Sequence, residues 1–69
     1  MIINKLSYGS KIEYNKEIYQ IYSLFPIFSD IENHNYYYMQ LVNLKDIQKS
    51  IEIELYDFEI EKEIKIIET

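Results

Sequence analysis

Cysteine, arginine, tryptophan and alanine are absent from this 69-residue chain, which has one glycine, one proline and one histidine. Without cysteine there is neither a disulfide nor a thiolate-metal site. Arginine grips phosphate in a two-pronged fork. Its absence, with a net charge of −5, argues against direct binding of nucleic acid or an anionic membrane. No apolar run nears the roughly 18 residues of a bilayer span, and the first residues lack the charged-then-apolar form of a signal peptide. The expected location is the cytoplasm, or the host cytoplasm if the chain is phage-encoded.

What is present is strand material. There are 14 Ile, 8 Tyr, 7 Lys and 5 Asn, residues with A/T-rich codons, which point to an A/T-rich genome such as that of a phage or bacterium. Ile and Tyr suit a pleated surface, whereas the missing Ala is the strongest helix former. The length predicts a single domain over 1–69, at a size that buries only about 60% of its unfolded surface. Twelve acidic residues face seven lysines, and Lys5, Lys11 and Lys16 are interspersed with Glu13 and Glu17. That balance points to a basic protein surface as partner, or to charge that only keeps an Ile- and Tyr-rich chain dissolved.

Along the chain, residues 1–7 read as a first edge strand or an arm, and Gly9-Ser10 as a turn. Lys11 to Tyr14 alternates, and Asn15-Lys16 suits a two-residue hairpin turn. Glu17 to Phe25 reads as a central strand, with Ile18, Tyr22 and Leu24 on one face and Tyr19, Ile21 and Phe25 on the other. Pro26, lacking an N–H, is expected to end it. A loop to Asn35 leads to a strand over Tyr36 to Val42, and Asn43 to Lys49 reads as a hairpin connection, with room for one short helical turn near 44–49 that Asn43 could cap.

Ile51 to Leu55 then alternates strictly, apolar with Glu, and the pattern resumes out of phase from Phe58 to Ile66. This period predicts strands with one wet face, separated at Tyr56-Asp57 by a bulge, bend or turn. A rival reading makes the last stretch a helix, since Ile60, Ile64 and Ile67 share a helical face and Asp57 can cap it. β-Branched content favours the strand.

Gly9-x-Lys11-Ile12-Glu13-Tyr14-Asn15 with Ile18-Tyr19-Gln20-Ile21 resembles the opening hairpin of the N-terminal SH3-like (KOW-type) barrel of bacterial elongation factor P. Leu41 to Lys45, followed by Ser50-Ile51-Glu52, resembles that family's later hairpin. The resemblance, over about residues 9 to 55, implies a small barrel. The family's loop between the hairpins is Gly- and Lys-rich and presents a modified lysine to the ribosome. Here Pro26 to Asn35 holds neither residue type. The expected fold is therefore all-β, an antiparallel SH3-like barrel or strongly bent sheet of about five strands.

Catalysis needs a nucleophile, base or metal in a pocket, and the chain supplies none in a recognisable pattern; no cofactor is implied. Asp30, Glu32 and His34 alternate and could face one ion, but such trios are usually solvated loops. Two groups remain. Tyr36 and Tyr38 face one way and Tyr37 the other, a Tyr-rich run suited to a protein contact. Glu52 and Glu54, and then Glu59, Glu61 and Glu63, project as acidic rows at roughly 6.6–6.8 Å, near the phosphate spacing of a nucleic-acid strand. The expectation is a non-enzymatic, acidic protein-binding module, for example a phage or mobile-element inhibitor masking a basic groove of a host defence protein. The alternative is a KOW-type nucleic-acid- or ribosome-associated module, and a homodimer is compatible with either.

Overall fold

The computed structural model describes residues 2–68. Five antiparallel strands, β1 (Lys11–Tyr14), β2 (Glu17–Ile27), β3 (Tyr36–Asn43), β4 (Ile51–Tyr56) and β5 (Ile64–Glu68), lie in the order β4-β3-β2-β1-β5. A helix, α1 (Asp57–Glu63), links the two edge strands, and 3-10 turns occupy Ile2–Lys5 and Ile47–Lys49. The sheet is open rather than a closed barrel, because β4 and β5 are its edges and, among the described residues, pair only with β3 and β1 respectively. Four inter-strand steps would separate those edges by about 19 Å in a flat sheet. A seven-residue helix is only about 10 Å long. Packing of α1 against both edges therefore requires the sheet to bend.

The inner face holds the core. Ile12, Tyr19, Ile21, Met39, Leu41 and Leu55 are buried beneath Ile60 of α1, Ile64 of β5, and Ile3 and Leu6 of the N-terminal segment. The start of the chain is thus a 3-10 turn lying on the core, not an edge strand. The β1–β2 turn forms as expected, with Asn15 and Lys16 at φ 52° and 68°, the left-handed pair that a tight hairpin needs.

Two details of β2 depart from the sequence reading. Its register slips between Ile21 and Ser23, a bulge at Tyr22. One extra residue exchanges the faces. Tyr19 and Ile21 point into the core before the bulge, and Leu24 packs there after it, leaving Phe25 outside. Pro26 does not end the strand; it lies within β2 opposite Tyr37. Beyond Ile21 nothing pairs with β2 on the β1 side among the described residues, the edge setting in which proline is tolerated.

Asn43 caps no helix. Its side-chain oxygen accepts from the Lys45 and Asp46 amides at 2.9 and 3.0 Å, and Asp46 caps the following 3-10 turn through the Gln48 amide. The largest correction concerns 57–63, which is helical rather than a strand. The phase break at Tyr56-Asp57 is the start of α1, where Glu59 accepts a hydrogen bond from the Tyr56 amide at 2.9 Å. This is half of a capping box, and it satisfies a donor that a new helix would strand. Strand structure resumes only at Ile64.

Candidate functional site

The inward set Met39, Leu41, Ile51, Ile53 and Leu55 dictates by alternation what stands on the outer face of β3 and β4. That face carries Tyr36, Tyr38, Gln40, Glu52, Glu54 and Tyr56. Tyr37 turns inward and packs against the core. Register sets Tyr36 opposite Tyr56 and Tyr38 opposite Glu54. The two groups singled out in the sequence, the tyrosine run and the first glutamate pair, are thereby interleaved on one surface. Phe25 and Phe58 extend it. Ring centroids lie 4.9 Å apart for Phe25 and Tyr38, 4.5 Å for Tyr36 and Tyr56, and 5.4 Å for the near-parallel Tyr56 and Phe58. These are attractive tilted or stacked distances.

Two outer tyrosine hydroxyls donate to carboxylates, Tyr38 to Glu52 and Tyr56 to Asp30, the latter at 2.6 Å, and Tyr36 lies in the field of Glu54. Ionising a hydroxyl beside a carboxylate would break that bond and set two anions together. The bond to Asp30, with burial and nearby charge, pushes the Tyr56 phenol up to about 12. The bond to Glu52 raises Tyr38. Burial, then the neighbouring Glu54 carboxylate, raise Tyr36. With raised phenols, Tyr38 and Tyr56 remain protonated donors at neutral pH and hold the Glu52 and Asp30 side chains in place.

The second glutamate group separates from the first. Glu59, Glu61 and Glu63 lie on α1, not on a strand continuing the row of Glu52 and Glu54. Glu59 caps the helix and its charge still reaches Tyr36 and Tyr56. Glu63 lies by the β1–β2 turn, near Tyr14, whose phenol is raised by burial first and by the Glu63 charge second. Glu61 is exposed on the helix.

Asp30, Glu32 and His34 diverge. Asp30 accepts from Tyr56, while the His34 ring nitrogen Nδ1 lies 2.9 Å from an oxygen of Asp57. Among the described residues no three His, Asp or Glu side chains are placed to hold a metal ion. Asp57, read from the sequence only as a helix cap, is instead a buried clasp. It also accepts from the Asn35 amide at 3.2 Å, and its own amide donates to the Asn35 carbonyl at 2.9 Å. Burial alone would raise the Asp57 carboxyl. Hydrogen bonds from the Asn35 amide, His34 and the Phe58 amide outweigh it and hold the group below the usual carboxylate range. His34 meets Phe58 edge-on at 5.0 Å, so the clasp fixes the loop against one end of the aromatic surface.

Tyr56 shares the parity of Glu52 and Glu54, so alternation alone could have found it. Phe25 was hidden by the bulge, and Asp30, singled out only within the alternating loop trio, carried no sign of its bond to Tyr56. No helix among the described residues is long and apolar enough to cross a membrane. The chain matches no protein-family model, no curated protein and no solved structure.

Proposed function

We propose that this protein is a non-enzymatic binding module whose outer β3–β4 face engages a basic surface of another protein. The observation that carries this reading is a set of carboxylates on an aromatic floor: Asp30 and Glu52, each held by a tyrosine hydroxyl, and Glu54 between them opposite Tyr38. Held charges lose less side-chain freedom on binding than free ones. Tyrosine rings supply contact area and cation–π attraction for Lys or Arg. The outer faces of β3 and β4 carry no lysine, which disfavours a phosphate backbone as ligand.

Such a surface suits an inhibitor that covers the basic groove of a defence protein, and the A/T-biased composition fits a phage or mobile-element source. The test is affinity capture from the native host, followed by binding kinetics of Glu52→Lys/Glu54→Lys. Glu59 is left intact because it caps α1. Charge reversal should slow association, with a deficit that grows as salt is lowered. Equal association rates for parent and double variant at low salt would assign the acidic face to solubility alone.

A further inference from the structure

The two edges of the sheet are built differently. β5 carries Lys65 among its exposed residues, pairs its Glu68 with Lys11 at 3.7 Å, and meets β1 through a register slip between Lys11 and Ile12. Mixed charge and a bulge are devices that discourage further strands. β4 has neither: it is six residues long, pairs with β3 without a slip, and contains no lysine, glycine or proline. Among the described residues, the backbone of Ile51 to Leu55 hydrogen-bonds with β3 alone, so its other side is open. Ile51 and Ile53 are only half-buried on the inner side of this edge, and Glu52 and Glu54 are exposed on the outer side.

We infer that the open edge of β4 accepts an extended basic segment of the partner as a sixth strand. In such an addition the backbone ladder supplies attraction and alternate side chains supply selectivity. Residues facing across a strand pair share a face, so partner lysines or arginines two apart stand opposite Glu52 and Glu54. Both rows repeat at about 6.8 Å. The partner's intervening apolar residues cover the half-open flanks of Ile51 and Ile53. The same geometry disfavours a second copy of this chain. Any self-pairing of β4 that keeps apolar against apolar also puts Glu against Glu, which repels.

This inference rests on the proposed basic-partner reading, and its test is separate from that one. The probe is a capped synthetic peptide of alternating valine and lysine, titrated into the full chain at low salt. It should bind and slow hydrogen exchange at Ile51 to Leu55. N-methylating the amides of the peptide edge that faces β4 should weaken binding by about tenfold or more, since several ladder bonds are lost. N-methylation of the opposite edge should leave affinity unchanged, and a valine–glutamate peptide should not bind. Absence of binding by the valine–lysine peptide, or equal affinity for the two methylated forms, overturns strand addition. Charge reversal against the native partner still decides the basic-surface reading by itself.

Discussion

Ile51–Tyr56 and Asp57–Glu63 are adjacent, rich in glutamate and patterned almost alike, but one is a strand and the other a helix. The difference lies in what each can bury and pair with. Ile51–Tyr56 lies along β3, whose outer edge completes its ladder and whose inner residues continue the core. Asp57–Glu63 lies where the chain must cross from one edge of the sheet to the other, with no strand among the described residues beside it to bond. A helix satisfies its own backbone during such a crossing. It also lowers Ile60 onto the inner face and brings Ile64, four residues on, into the same core. Alternation reports only which side chains are apolar; the available partner decides which period is realised.

The sharpest way to break this comparison is to remove the residue that rewards the helix. Ile60 is fully buried, and Ile60→Ala should cost roughly 2–5 kcal/mol, the range for a buried isoleucine truncation. Ile53, half-buried at an open edge, should cost less, about 1–2 kcal/mol. Urea unfolding of the two variants checks the order. If Ile53→Ala proves the more damaging, the core is centred on β4 and α1 is only a connector.

The cap offers a second, smaller contrast. Glu59 accepts the Tyr56 amide at the start of α1, so Glu59→Ala should lose about 0.5–2 kcal/mol. Glu54→Ala, on the wet face of a strand, should stay within about 0.5 kcal/mol of the parent. Thermal or urea midpoints of the pair measure it. Equal losses would deny the cap its role in making 57–63 helical.

How far the chain could be read in advance follows the same division. The hairpin at Asn15-Lys16, the antiparallel meander and the parity of Tyr36, Tyr38, Glu52 and Glu54 are local properties, written in turn chemistry and period two. The bulge at Tyr22 left no mark, because apolar residues surround it on both parities and either phase could be assigned. The rival helical reading of the whole last segment holds only from Asp57 to Glu63, and the strand reading only from Ile64; the division follows tertiary needs that no local pattern records, a crossing to make and a core to cover. At the site, the carboxylates and tyrosines were visible but their pairing was not. The bond of Asp30 to Tyr56 and that of His34 to Asp57 span 26 and 23 residues respectively, beyond the reach of spacing arguments.

Acid should distinguish the two stretches further. Asp57, at the junction, has its carboxyl lowered in the folded state. Its contribution to stability is therefore complete above the ordinary aspartate value of about 3.9 and fades as pH falls through the lowered one. Asp57→Asn should be less stable than the parent at neutral pH, and the gap should narrow as the solution is acidified below pH about 4. Unfolding midpoints at several pH values provide the comparison. A gap of constant size would mean that the clasp works through shape and neutral hydrogen bonds rather than through charge.

The smallest effect lies at the alkaline end and compares the glutamates of β4 directly with those of α1. Tyr36, Tyr38 and Tyr56 are raised in the folded protein, Tyr56 to about 12. A raised folded value means a stabilising contribution that is complete below the ordinary tyrosine value of about 10 and is lost as pH climbs through the folded one. Tyrosinate absorbance should accordingly show a late-titrating fraction that merges with the rest on unfolding. Glu52→Gln removes both the charge and the strong acceptor beside Tyr38, so that phenol should ionise earlier; Asp30→Asn should do the same for Tyr56. Glu59→Gln should move Tyr56 far less, because from α1 Glu59 contributes a more distant charge and no hydrogen bond to that hydroxyl. An equal shift from Glu59→Gln and Asp30→Asn would mean that the face acts as a diffuse negative field. Unequal shifts, in the order given, are the signature of carboxylates held one by one by the tyrosines of the sheet.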